Sequence, residues 1–592
     1  MFHSPLREIR FVMRELLDSS GLEQTYADSG YSAELADNIL EEAGKFAENV
    51  LEPINQEGDR VGARWTPEGV TTPKGFKEAY AAYVEAGWAQ LSMSQELGGQ
   101  GLPLLLNSAV EELMFAANMG FFLGTSLARG AVEAVAASAT PEQKALVLPK
   151  LVTGEWMGTM NLTESQAGSD LGLLRTRAVP EGDHYRLFGQ KIFITYGEHD
   201  LSENIIHLVL ARIDGAPAGV KGISLFYVPK FLINADGSKG ERNDVRCLSI
   251  EHKLGIHASP TCVMSFGEKE GAIGYLLGPP NAGLSFMFLM MNAARISVGT
   301  QGLAQSERAL QLALDWARNR QQGRVTGKPD TVAIIEHPDV RRMLLSMKAR
   351  SEGMRALCYY AALELDNGHR LPDEKARHAA LMRAELLIPV VKGWCTEAAI
   401  DVCSTGVQVH GGMGYVEETG AAQFLRDVRI SSIYEGTTGI QANDLIGRKL
   451  ARDHGAAMAA LIQDLLGQIE ASRSLLPATR AARNAAMEAL TTLRDMTGKL
   501  VRAQPETPSS ALAVGVPYLK LCGVTLAGAL MARAAQVAEA ALGMNPADAA
   551  FYESKLQTCR FYAEQVLPEA IGLARIVKSG AGSVTDARSE LV

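Results

Sequence analysis

Residues 184–195 read HYRLFGQKIFIT, residues 204–213 read NIIHLVLARI and residues 222–230 read GISLFYVPK. Each run is crowded with β-branched and aromatic residues and bounded by Gly, Pro, Asp or Asn, the pattern of short strands joined by turns. Helical periodicity flanks them on both sides. Towards the N-terminus, residues 1–155 read as helices, with Ser32 an N-cap candidate for LADNILEEAGKFAENVLEPI and Pro53 expected to end that segment. Further periodic runs lie at 74–91, 105–117 and 141–152; Thr140-Pro141 signals a helix start, and Gly98-Gly99-Gln-Gly101 a loop. Beyond the strands the helical period returns at 284 and holds to 455, with Leu303, Leu310 and Leu314 on one helical face. Pro338 and Gly411-Gly412-Met-Gly414 interrupt it. Residues 456–592 are rich in Ala and Leu, are broken by QPETPSS, and close on SGAGSVTDARSE, a composition that predicts disorder. The expected class is an α+β multidomain chain: a helical domain 1–155, a β-domain 156–283, a helical bundle 284–455 and a helical extension 456–592.

The bulk numbers narrow the function classes. A net charge of −10 offers no general attraction for nucleic acid or an anionic membrane. Seven scattered cysteines without a CxxC pair argue against a disulfide framework or a zinc cluster and predict a reducing compartment. The start, MFHSPLREIRFVMRELLD, alternates charged and apolar residues and lacks the apolar core of a signal peptide. The longest apolar-rich stretch, LSFMFLMMNAARI at 284–296, stops at about half a bilayer span and reads as a buried helix. A cytoplasmic protein without an integral membrane segment is expected.

No P-loop, GxGxxG fingerprint, HExxH or GxSxG elbow is present. Three other segments carry candidate chemistry. NLTESQAGSDLG at 161–172 concentrates small and hydroxyl residues, so its backbone N–H groups could approach a flat ring or a phosphate; read alone, it better suits an ordinary polar turn before a strand. GQKIFITYG at 189–197 would put Phe193 and Thr195 on one face of a strand, with Ile192 and Ile194 on the other. That face could line a ring, or be a half-buried strand end. The third runs from Gln408 to Leu450 and places Glu435 in IYEGTTG. With only an aromatic and a glycine beside it, the carboxylate has little local charge compensation, and burial would raise its pKa toward that of a useful base. An exposed loop glutamate is the plain alternative.

Together these segments resemble the acyl-CoA dehydrogenase family. LTES-x-AGSD is similar to the family's LTEP-x-AGSD signature and GQKIFIT to its GxKxWIT strand. QVHGGMGY and IYEGTTGIQ match its Q-x-x-GGxGY and YEGT elements, and KLGIHASPT (253–261) and RNRQQG (318–323) fill two further positions in order. The resemblance covers roughly residues 35–450. It implies a helical N-terminal domain, a middle β-barrel and a C-terminal helical bundle, with FAD between the last two and partly covered by a second subunit. By that mapping Leu162, Thr163 and Ser169 contact the flavin or its linker, and Phe193 and Thr195 lie against the isoalloxazine. Arg320 and the Gln408–Gly412 segment (Gly411 and Gly412 included) come from the neighbouring subunit, and Thr437 also touches FAD. Ser169, Asn292, Arg295 and Gly436 are the implied acyl-CoA contacts. Glu435 is the implied base, removing the Cα proton of a thioester while flavin accepts the Cβ hydride. An electron-transfer flavoprotein is the implied electron acceptor.

The departures are local. Ser165 stands where the family has Pro, Phe193 where it has Trp, and Gly439 where a polar residue follows YEGT; RNRQQG is one residue short of the common pattern. His257 and His410 lack partners at metal spacing, so no metal is expected. The extension is similar to that of a larger bacterial subgroup, which includes long-chain acyl-CoA and 3-methylthiopropanoyl-CoA dehydrogenases. It predicts a homodimer, because extra helices could replace contacts made by a second dimer. An acyl-CoA oxidase and a flavin-free scaffold are the rival readings.

Overall fold

The computed structural model describes residues 2–327, 329–471 and 475–591; the side chains of 288–293 and 591 lie outside the described set, and with them the expected contact of Asn292. Ser32 caps α1 (Ala33–Phe46) by accepting the N–H of Leu35 at 3.1 Å. The helical path does not end at Pro53. It passes through a π turn (Ala47–Leu51) and a 3-10 turn (Glu52–Ile54) into α2 (Asn55–Val61). Pro53 falls in a first turn, where its missing N–H is no loss. A hairpin, β1 (Arg64–Thr66) with β2 (Gly69–Thr71), interrupts the helical region, which the helical reading passed over. Four helices follow: α3 (Phe76–Glu85), α4 (Leu104–Ala117), α5 (Met119–Ser138) and α6 (Pro141–Thr153). The last starts with a reciprocal capping box between Thr140 and Gln143.

The eight-stranded sheet uses β3 (Met157–Asn161), β4 (Arg177–Glu181), β5 (His184–Thr195), β6 (Ile205–Ile213), β7 (Ile223–Pro229), β8 (Val245–Ile250), β9 (Thr261–Phe266) and β10 (Ala272–Leu277). β5 pairs with β10, β10 with β7, β7 with β6, β6 in parallel with β4, and β4 with β5 again. That circuit closes a barrel, and β9 leaves β5 to carry β8 outward.

Long helices resume with α7 (Gly283–Asn319), α8 (Pro338–Arg370) and α9 (Glu374–Val390). A π turn (Val391–Cys395) leads into α10 (Thr396–His410), followed by α11 (Ala421–Val428) and α12 (Thr438–Asp444). The extension contributes α13 (Ala456–Glu470), α14 (Pro477–Glu506), α15 (Gly515–Gly543), α16 (Ala549–Phe561) and α17 (Glu569–Ser579). It shares one hydrophobic core with the helices before and after the barrel, while two smaller clusters fill the barrel region. α15, not the 284–296 stretch, is the helix long and apolar enough to cross a membrane among the described residues. Its mean hydropathy is 1.4 over an 18-residue window, 83% of which is buried in the protein. Helix-helix packing accounts for that hydropathy, since a helix apolar on all sides suits a bundle core. The closing segment is ordered as a short helix, Ala581–Thr585, and a 3-10 turn, Ser589–Leu591, in place of the expected disorder.

Candidate active site

Glu435 sits on the connection from α11 to α12, after a 3-10 turn (Arg429–Ser432). Glu435 has φ of +54° and Gly436 +89°, two successive left-handed residues. Glycine adopts this freely, but a glutamate there costs about 1–2 kcal/mol and needs support from its surroundings. The support is tertiary. Gln441 Nε2 donates to the Glu435 carbonyl at 3.3 Å and to the Gly436 carbonyl at 3.1 Å, and Lys392 Nζ donates to the latter at 2.6 Å. Tyr434 donates its hydroxyl proton to Gln301 on α7. Thr437 then caps α12 by accepting the N–H of Ile440 at 3.3 Å, and Thr438 donates to Glu397 at 2.7 Å.

The half-buried Glu435 carboxyl has its pKa raised by burial, against the opposing pull of Lys392 and Arg295. The turn supplies no compensating charge, as its sequence suggests, yet the fold brings two cations to it. Arg295 is buried on α7 and pairs with Asp444 at 3.1 Å; burial lowers its own pKa. Among the described residues, Arg295 Nε and Gln441 Oε1 are buried without a hydrogen-bond partner and the Glu435 N–H donates to none. Such polar groups, grouped around one carboxylate, suit a polar ligand.

The second cluster lies on the barrel. Glu164 and Ala167 exchange backbone hydrogen bonds across a tight turn, and Ile192 N–H donates to the Thr163 carbonyl at 2.9 Å. Beneath it, fully buried Lys191 donates to Glu164 Oε1 at 2.9 Å and to the Leu162 carbonyl at 3.0 Å. Glu164 also accepts from Thr176 N, Thr176 Oγ1, Arg175 N and Gln166 Nε2. Although burial opposes it, the Lys191 ammonium with these donors holds Glu164 down to about 2; burial pushes Lys191 down to about 8, against the pull of Glu164.

β5 does not keep the regular alternation expected of it. Cys262 pairs with Ile194 and Met264 with Lys191, so Ile192 and Phe193 together face Val263 in a β-bulge. The extra residue lets Lys191 and Ile194 both turn inward while Phe193, at φ +61° and 59% exposed, projects from the strand. Thr195 is half-buried and Ser169 exposed. A Cβ added at Gly168, Gly411 or Gly412 would meet nothing within 4 Å, so the backbone is open to an incoming group at each. An exposed aromatic beside open loop backbone is a donor set that fits a flat cofactor ring with a phosphate tail.

The predicted residues therefore fall into separate groups. Leu162, Thr163, Ser169, Phe193 and Thr195 lie on or beside the barrel; Glu435, Gly436 and Thr437 lie on the base turn, with Arg295 facing it. Arg320 and Gln408–Gly412 are elsewhere. They lie at the far ends of α7 and α10, where the Trp316 and His410 rings stack at 5.2 Å. At 1.5 Å per residue, Arg320 lies roughly 37 Å along the helix from Arg295, so a single chain does not bring these residues to the base turn. His257 is tied to Lys253 and Asp59, and no metal-binding group of three His, Cys, Asp or Glu occurs among the described residues.

The motif reading passed over Lys191, Glu164, Lys392, Gln441 and Gln301. A signal existed for two of them: Lys191 is the one charge in FGQKIFIT, and Lys392 the one charge in LIPVVKGWC. A lone lysine in an apolar run must be paired or neutralised once buried.

A barrel carrying an exposed aromatic bulge, set between helical layers that hold a half-buried carboxylate, fits the arrangement of a flavin-dependent dehydrogenase. The chain belongs to the acyl-CoA dehydrogenase family. Its N-terminal domain model matches residues 34–155, its middle domain 159–268 and its C-terminal domain 281–451; an acetyl-CoA dehydrogenase C-terminal-like model matches 456–588. The chain is 46% identical over 574 residues to 3-methylmercaptopropionyl-CoA dehydrogenase of Ruegeria pomeroyi, covering 96% of each. It is 35% identical over 611 residues to the broad-specificity linear acyl-CoA dehydrogenase FadE5 of Mycobacterium tuberculosis, covering 98% of this chain and 97% of the other. The fold resembles an acyl-CoA dehydrogenase from Bacillus anthracis solved with FAD, with a TM-score of 0.72 and 20% identity over 93% of this chain and 89% of that one.

Proposed function

We propose that this chain oxidises an acyl-CoA thioester to its trans-2-enoyl-CoA, with Glu435 as the base. The observation that carries the reading is the turn: a half-buried carboxylate of raised pKa whose own N–H finds no partner among the described residues. The carboxylate removes the proton from Cα. The Glu435 N–H donates to the thioester oxygen, where negative charge grows as the proton leaves. Arg295 opposes the rise that burial imposes on the carboxyl and so favours its ionised form beside the apolar acyl group. FAD, when bound, supplies the acceptor for the Cβ hydride. Phe193 and Thr195 offer its ring a surface, and Leu162, Thr163, Ser169 and Thr437 offer its linker polar contacts.

In the same reading Arg320, Gln408, Gly411 and Gly412 serve the FAD of a neighbouring subunit in a homodimer. Their distance from Arg295 supports this, as does Tyr415, 90% exposed on the same glycine loop. An electron-transfer flavoprotein then reoxidises the enzyme, in the cytoplasm. Sedimentation of a monomer with full FAD content would sink the dimer, and peroxide formed in step with turnover would favour an oxidase. Linear acyl groups of fatty-acid oxidation are the substrate class proposed. The 46% identity to the Ruegeria pomeroyi protein, over 96% of the chain, favours 3-(methylthio)propanoyl-CoA as the second reading. Anaerobic mixing with a panel of acyl-CoAs decides between them through flavin bleaching. Glu435→Gln is expected to keep FAD and lose bleaching by at least about 10³-fold with every thioester; near-normal bleaching overturns the assignment.

A further inference from the structure

Lys392 has no part in the scheme above, yet it is fully buried next to the base turn. It rises from the π turn Val391–Cys395, and no carboxylate lies within 4.0 Å of it among the described residues. Its Nζ donates at 2.6 Å to the Gly436 carbonyl, the peptide that follows the base. Gln441 donates to that carbonyl as well, at 3.1 Å from α12. Two donors converging on one oxygen fix the orientation of the Gly436 peptide, and through it the left-handed pair that aims Glu435. The extension braces the lysine from behind. A Cβ at Gly523 would meet Trp394 at 2.1 Å, and one at Gly393 would meet Leu519 at 2.8 Å, so α15 packs directly on the π turn.

We propose that Lys392 is a positioning residue for Glu435, clamping its turn through the Gly436 carbonyl and placing a buried positive charge opposite the base. The inference rests on the reading of Glu435 as the base. The charged groups bearing on Lys392 are Glu435 on the turn, Arg295 on α7 and Glu397 on α10; burial, which outweighs the two glutamates, pushes its ammonium down to about 8. It is therefore charged at neutral pH, and removing it withdraws a cation that favours the carboxylate form.

The test measures kcat/KM against pH on purified holoenzyme, with FAD content and circular dichroism recorded for each variant. Lys392→Gln keeps a donor without the charge and should move the acidic limb up by about one pH unit or more. Lys392→Arg should return the limb to near its original position. Gln441→Leu removes a neutral donor from the same carbonyl and should lower kcat while leaving the limb in place. A Lys392→Gln limb within about 0.3 unit of wild type, with FAD retained, overturns the inference. If Lys392→Gln fails to hold FAD, the arginine and leucine variants decide: a shifted limb in Gln441→Leu or an unrestored one in Lys392→Arg overturns it equally. Failure of the base assignment itself shows separately, as bleaching that survives in Glu435→Gln.

Discussion

Consider Glu164→Gln, a substitution that preserves volume beneath the proposed flavin loop. In the native protein Oε1 accepts from Lys191, Thr176 N and Thr176 Oγ1, and Oε2 accepts from Arg175 N and Gln166 Nε2. A carboxamide must turn its NH2 toward one of these two donor sets, and Lys191 loses its counter-charge while fully buried. Breaking one side of a buried ion pair costs about 3–5 kcal/mol. If that destabilises the holding shape of the 162–169 loop, apparent FAD affinity falls by up to roughly 150- to 5000-fold. Lys191→Met should be milder, because Glu164 keeps four of its five donors and loses one charge-assisted bond, about 1.5–3 kcal/mol. The assay is FAD binding to apoenzyme, followed by flavin fluorescence; a single unfolding free energy is ill-defined for so many packed domains. The pH sense is fixed too. Glu164 is held below its ordinary value, so its contribution is present above that value and is lost as pH falls toward about 2. An FAD Kd for Glu164→Gln within about threefold of wild type, or a weaker effect than that of Lys191→Met, refutes the reasoning.

Other perturbations test other parts. Phe193→Ala should change the melting temperature little, since the ring is mostly exposed. The same variant should weaken FAD binding, and Phe193→Trp should not; a loss of stability without a loss of flavin counts against the ring surface. Asp427 is pushed up to about 7 by burial and then by Asp59, while accepting from Ile256 N at 2.5 Å and Gln423 Nε2 at 3.2 Å. Its folded pKa is raised, so the protein loses stability from this group as pH climbs from the ordinary carboxylate range through about 7. Asp427→Asn imitates the protonated form, and its advantage in melting temperature over wild type should widen from pH 5 to 7 and then level off. A gap constant with pH would contradict the assignment.

Sequence alone determined the order of the architecture and the identity of the family. Strand runs such as HYRLFGQKIFIT and caps such as Ser32 and Thr140 are local signals: their meaning depends on residues within a turn or two, and both caps accept the bonds expected of them. The motif set around LTES, GQKIFIT and IYEGTTG was readable for the same reason. Tertiary structure decided what those motifs experience. Pro53 passes inside a continuing helical path because the next turn can start on it. Phe193 is turned out by a bulge that exists only in register with β9. SGAGSVTDARSE is polar in composition yet forms a short helix at its start. The two cations that tune Glu435 are invisible in its own turn. Lys392 reaches Gly436 across 44 residues, and Arg295 is anchored to Asp444 across 149. A carboxylate's pKa depends on charge and solvent within a few ångströms in space, and that neighbourhood is assembled only when distant helices pack.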